Sequence, residues 1–210
     1  MIPRTLRRLA AGAALALLAP AGATAQDFDY YLLALSWSPS WCVAEGEAAT
    51  SAAQCRPERD LGFMLHGLWP QFERGWPEHC AATTRDPSRR ETADMADVMG
   101  SRGLAWSQWK KHGRCSGLEP EDYFAKARRA FSAFEKPRPD DMTDAQSVAV
   151  AFRAVNPGIA RDGIVVTCRS GLLREVRICL TRDLEPRSCG ADVLAAACSP
   201  DRVIEAPEAP

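Results

Sequence analysis

The sequence predicts an α+β domain: a central antiparallel sheet flanked by helices and stapled by disulfides. Three observations predict it. Short apolar runs with strand character lie near both ends of the chain, helical periodicity fills the middle, and eight cysteines all follow an export leader.

The leader comes first. Arg4, Arg7 and Arg8 give a basic start, an apolar run extends from Leu9 to Ala19, and Ala23-Thr24-Ala25 supplies small residues before Gln26. This is the layout of a secretory signal peptide. The run is shorter than the roughly 18 apolar residues of a membrane span. Residues 1–25 are therefore expected to be cleaved, leaving one domain over 26–200 and a flexible tail over 201–210. The alanine-rich leader points to a periplasmic or secreted protein.

Export gives the cysteines a use. Cys42, Cys55, Cys80, Cys115, Cys168, Cys179, Cys189 and Cys198 are even in number, which implies four disulfides, although the sequence leaves their pairing open. No CxxC pair occurs and the chain has only three histidines, so no metal site and no cofactor are expected. The whole chain carries 26 Lys+Arg and 27 Asp+Glu; the leader takes three arginines and no acid, leaving a formal charge of −4. That balance excludes a broad electrostatic grip on nucleic acid and restricts phosphate contacts to local ones.

Along the mature chain, Tyr30 to Trp37 is apolar and aromatic and stops at Ser38-Pro39, the pattern of a buried strand. Val43 to Gln54, rich in small and polar residues, reads as loose. Leu61 to Leu68 is a second short apolar run, interrupted by His66 and stopped by Trp69-Pro70. Tyr123, Phe124, Ala127, Phe131 and Phe134 recur at helical spacing. Thr143 and Gln146 resemble a capping box for a helix that continues through Val148, Phe152 and Val155 to Asn156-Pro157-Gly158. Ile164–Arg169 and Leu172–Leu180 flank Ser170-Gly171 as a hairpin, with Val176, Ile178 and Leu180 on one face. The tail after Cys198 should fray.

Two segments carry chemistry. In Phe63-Met64-Leu65-His66-Gly67-Leu68-Trp69-Pro70, a histidine interrupts an apolar strand, Gly67 permits close approach of another backbone, and Trp69 offers a flat surface to a base. In Gln108-Trp109-Lys110-Lys111-His112-Gly113, helical geometry puts Gln108, Lys111 and His112 on one face, with Gly113 as a stop. Taken singly, each segment reads equally well as a core histidine or a solvated basic face. Together they suit cleavage of RNA, whose 2′-hydroxyl is its own nucleophile. One imidazole takes that proton, another protonates the departing 5′-oxygen, and an ammonium meets the charge building on phosphorus. His79, beside Cys80, reads as structural or surface.

At these segments the chain resembles the ribonuclease T2 family. The likeness includes Asp29 to Pro39, Ser116-Gly117-Leu118, Tyr123-Phe124 and Glu175-Val176-Arg177-Ile178-Cys179, and so covers about Phe28 to Cys198. It implies a metal-independent endoribonuclease, monomeric, with low base specificity and RNA as its only partner. By resemblance His112 is the base and His66 the acid of a reaction through a 2′,3′-cyclic phosphate. Lys111 would stabilise the transition state and Trp69 would stack on a base. The same likeness implies bridges Cys80–Cys115, Cys168–Cys198 and Cys179–Cys189, leaving Cys42–Cys55. The chain departs from the pattern at Ser107-Gln108, where relatives often have His-Glu, and at Gln71, where several have an acid that helps bind the base. Gln108 retains a hydrogen-bonding amide but no titrating carboxyl.

Overall fold

The computed structural model describes residues 27–46, 52–59, 61–138, 143–200 and 202–207. The expected leader, 1–25, lies outside the described residues. The elements run β1 (Tyr30–Trp37), α1 (Ser38–Glu45), β2 (Phe63–Gln71), α2 (Arg89–Asp94), α3 (Ala96–Met99), α4 (Arg102–Lys111), α5 (Pro120–Ser132), α6 (Ala145–Val155), β3 (Ile164–Arg169), β4 (Leu172–Leu180) and α7 (Ala191–Ala195). The four strands form one antiparallel sheet in the order β2-β1-β4-β3. This is the α+β architecture read from the sequence.

β1 is central and covered on both faces, which explains its near-continuous apolar sequence. Tyr31, Leu33, Leu35 and Trp37 face the larger core, where Ala105 and Trp109 of α4, Tyr123, Phe124 and Ala127 of α5, and Val148 and Phe152 of α6 pack. Tyr30, Leu32 and Ala34 face a smaller cluster with Trp69, Cys179, Cys189 and Val193 of α7. The expected hairpin is present, and Val176, Ile178 and Leu180 do share the larger core. Its turn places Ser170 at φ 52° and Gly171 at φ 82°, the paired left-handed residues of a type I′ hairpin.

Four expectations need correction. β2 does not stop at Trp69-Pro70 but pairs on to Gln71. Pro70 is tolerated because β2 is an edge strand, where a missing N–H costs no ladder bond. The capping box of α6 lies one residue later than expected: Asp144 Oδ1 accepts from Ser147 N at 2.7 Å and Ser147 Oγ accepts from Asp144 N at 3.2 Å. The N–H of Gln146 is instead given to the carbonyl of Pro200. Val43–Gln54 is partly ordered, since α1 reaches Glu45 and a 3-10 turn covers Ala53–Cys55; residues 47–51 lie outside the described residues.

The tail does not fray over 202–207. Ile204 is buried, Ile204 N donates to Thr143 O, and Glu205 exchanges backbone bonds with Gly171 and Leu173 at the hairpin. One apolar side chain finding the core, next to the Cys168–Cys198 anchor, outweighs the polar composition around it. All four disulfides implied by the resemblance are present: Cys42–Cys55, Cys80–Cys115, Cys168–Cys198 and Cys179–Cys189.

Candidate active site

The site begins with an irregularity in β2. Ala34 pairs with Gly67 and Leu35 with Leu65, so His66 is an extra residue with no partner across the ladder. Such a bulge re-aims the side chain it frees. It also resets the alternation, which is why Leu65 and Leu68, three apart, both reach the larger core. His66 is left partly exposed, at 26%.

Its imidazole is fixed by a buried acid on β4. Glu175 Oε1 lies 2.6 Å from His66 Nδ1, and Glu175 Oε2 accepts from Arg177 Nε at 2.9 Å. Glu175 is only 1% exposed. Burial opposes its ionisation, but the bonds to His66 and Arg177 win and hold the carboxyl down at about 2. An ionised carboxylate only accepts, so Nδ1 of His66 carries the proton and Nε2 is the nitrogen left for substrate. Glu175 escaped the sequence reading. The available signal was two charged residues, Glu175 and Arg177, alternating with the core residues Val176 and Ile178.

The second histidine closes α4. Ser101 caps the start of that helix, its hydroxyl accepting from Leu104 N at 3.1 Å. At the other end His112 N donates to Gln108 O, His79 N donates to Lys111 O at 2.8 Å, and Cys80–Cys115 ties the following turn to the loop after β2. Gly113 does follow the helix end, but space demands it: a Cβ there would lie 2.5 Å from Trp109 Cε3. His112 is 4% exposed and its Nδ1 is buried without a partner. Burial, aided by the neighbouring Lys111 charge, lowers its pKa to about 3, so the ring is neutral near pH 7.

Trp69 joins the two. Its indole stacks on His112, with centroids 4.9 Å apart and planes at 24°, and meets His66 edge-on at 5.2 Å. Trp69 Nε1 donates to Gln108 Oε1 at 2.7 Å. Gly67 is required here because a Cβ would strike Trp69 Nε1 and come within 2.6 Å of Gln108 Oε1. What approaches Gly67 closely is thus a side-chain pair, where the sequence suggested a backbone. Trp69 itself is 9% exposed, and its face is taken by His112. In this structure it braces an imidazole, a different place from the open platform expected of it.

Gln108 is likewise buried. An indole N–H can only donate, so the amide oxygen must face Trp69 and the amide nitrogen is the end left for another acceptor. Lys111 is 44% exposed, with Nζ 3.4 Å from Glu78 Oε2. Ser107 is exposed on α4, and His79 is exposed with φ 52°. Gln71 turns its amide back to the Pro70 carbonyl at 2.9 Å and is buried. The structure therefore brings His66, Trp69, Gln108 and His112 together, keeps Lys111 next to His112, and leaves Gln71 facing inward.

Beside His66 and Glu175 opens a cavity of about 760 Å³, lined on one wall by Trp41 and Gln54 and on another by Ser101 and Leu104. It is large enough for a nucleoside.

The ribonuclease T2 family model matches residues 28–189. A ribonuclease of Aeromonas hydrophila is 37% identical over 173 residues, which span 76% of this chain and 74% of that one. Among solved structures, an RNase-related protein from Calystegia sepium is similar with a TM-score of 0.69 at 20% identity, over 87% of this chain and 98% of that one. RNase NT in complex with 5′-AMP is similar with a TM-score of 0.54 at 22% identity, over 79% of this chain and 96% of that one. At those identities the two structures speak for the fold. The family match covers most of the chain and contains His66, Lys111, His112 and Glu175. On that match and the Aeromonas relative, the chain belongs to the ribonuclease T2 family and is an endoribonuclease.

Proposed function

We propose that this endoribonuclease cuts single-stranded RNA by transphosphorylation through a 2′,3′-cyclic phosphate, without a metal ion and with low base specificity. The observation that carries this reading is the opposite electrostatic setting of two imidazoles around one indole. His112, buried and neutral, is suited to accept the 2′-hydroxyl proton. His66, whose Nδ1 donates to an ionised carboxylate and whose Nε2 is left for substrate, is placed to give a proton to the departing 5′-oxygen.

The first step forms the bond from the 2′-oxygen to phosphorus and breaks that from phosphorus to the 5′-oxygen. Lys111 Nζ and the amide nitrogen of Gln108 offer a charge and a donor to the phosphoryl oxygens as they become more negative. In the second step water opens the cyclic phosphate with the roles reversed, His66 taking the proton and His112 returning one. Because the protein supplies acid, base and cation, no step requires a bound metal.

Low base specificity follows from what the site lacks. Gln71 points inward and Trp69 is covered, so neither presents a base-reading group. The nucleotide held by RNase NT and the cavity beside His66 support binding of a nucleotide here. The leader sequence and the four disulfides favour action outside the cytoplasm, in the periplasm or after secretion. Phosphorus NMR of an oligonucleotide digest in EDTA tests the proposal. A cyclic phosphate should appear before any 3′-phosphate, and a deoxy copy should stay whole. Cutting of the deoxy copy, direct appearance of 3′-phosphate, or activity that returns only with divalent ions contradicts it.

A further inference from the structure

The sheet contains a second bulge. Thr167 pairs with Glu175 and Cys168 with Leu173, so Arg174 is an extra residue in β4, freed from the ladder as His66 is freed in β2. The two extra residues line the same cavity, and Arg169, at the end of β3, lines it beside them. Both arginines are exposed.

Both arginines border the cavity of His66, and no described residue neutralises either. Arg177 is committed to Glu175, Arg85 to Glu91, Arg128 to Asp97 and Arg187 to Glu73. Among the described residues, the side chains of Arg169 and Arg174 make no ion pair or hydrogen bond, and Glu205 of the adjacent tail pairs with neither. Among the described residues, the acids lining the cavity are Glu175, held by His66 and Arg177, and Glu45 on α1. The cavity thus carries two unneutralised cations along the hairpin, in a chain whose mature charge of −4 leaves no general affinity for polyanions.

This charge identifies a ligand. If His66 protonates the 5′-oxygen that leaves, the nucleoside on the 3′ side of the cut occupies the cavity that His66 borders. Its own 3′-phosphate must then leave the cavity along one wall, and the two arginines make the hairpin wall attractive to an anion. We propose that Arg169 and Arg174 form a subsite for the phosphate one nucleotide downstream of the cut, so that RNA continuing past the cleaved link is preferred over a terminal link. The inference rests on the acid role given to His66 above.

The test compares adenylyl-adenosine with the same dinucleotide carrying a 3′-terminal phosphate, on wild type and on Arg169→Gln/Arg174→Gln. In wild type the added phosphate should raise kcat/KM by about fivefold at 0.1 M salt, the gain that a log–log slope of about 0.7 per single-strand phosphate contact gives against a 1 M reference. The double variant should lose that gain and its salt dependence while cutting the unphosphorylated dinucleotide at the wild-type rate. No gain in wild type, a gain that survives in the variant, or an equal loss on both substrates overturns the subsite. If wild type cuts neither dinucleotide nor long RNA, the enzyme reading itself has failed, whatever the arginines do.

Discussion

Replacing Glu175 with Gln isolates the charge behind His66 from its geometry. The amide oxygen can still accept from Nδ1, so the ring stays oriented, but the negative charge facing it is gone. The carboxyl sits at about 2 against an ordinary 4.5, held there against burial by its bonds to His66 and Arg177. The alkaline limb of kcat/KM, which reports loss of the proton from the acid, should therefore move to lower pH. Activity at the new optimum should fall only modestly. Glu175→Ala should fall further, because it removes the orienting bond too and leaves Arg177 without its carboxylate. The assay is a pH–rate profile on a dinucleotide under subsaturating conditions. An alkaline limb that stays in place in Glu175→Gln refutes the coupling. Equal losses in Gln and Ala variants with unshifted limbs would make Glu175 a packing residue only.

Three other outcomes follow from the same geometry. Gly67→Ala should drive Trp69 and Gln108 apart, costing kcat about tenfold or more and stability about 1–3 kcal/mol, since the added methyl overlaps their hydrogen bond; wild-type kcat in this variant would show that the brace does not serve catalysis. Gln108→Glu should keep the bond to Trp69, because a carboxylate also accepts from the indole, while adding a titrating group to the pH–rate curve; an unchanged curve removes Gln108 from the chemistry. Acid should destabilise the fold in two stages. His112 is held at about 3 against 6.5 and Glu175 at about 2 against 4.5, so in each case the unfolded chain binds the proton first and stability falls as pH drops, from about 6.5 downward for His112 and from 4.5 downward for Glu175. Urea midpoints across pH 7 to 4 should flatten between 6.5 and 4.5 in His112→Gln, and an unaltered slope would contradict the burial argument.

The sequence made the strands and the main helices legible because their patterns follow from local geometry: period two for β4, helical spacing for α5, and a continuous apolar run for a strand buried on both faces. His66, Lys111 and His112 stood out as candidates because chemistry restricts which residues can do the proposed work. Glu175 was not, since an acid alternating with core residues ordinarily faces water, and only the tertiary fold shows that its face is covered by His66 and Arg177. The bulge at His66 was equally hidden, because one unpaired residue leaves no compositional trace. Trp69 read as an open platform for the same reason: aromatic character is visible in a sequence, but the ring stacked on it is not. The docked tail turned on Ile204 alone, one apolar residue in a stretch whose other residues argue for fraying.

The central claim is the division of labour between the two histidines, and a change of leaving group tests it most directly. A ribonucleoside 3′-(4-nitrophenyl phosphate) expels a leaving group that needs no proton, whereas RNA expels an alkoxide that does. The account predicts that His66→Ala loses about 10²- to 10⁴-fold on RNA but little on the nitrophenyl ester, and that His112→Ala loses comparably on both. Rescue of His112→Ala and not of His66→Ala by the better leaving group would contradict it.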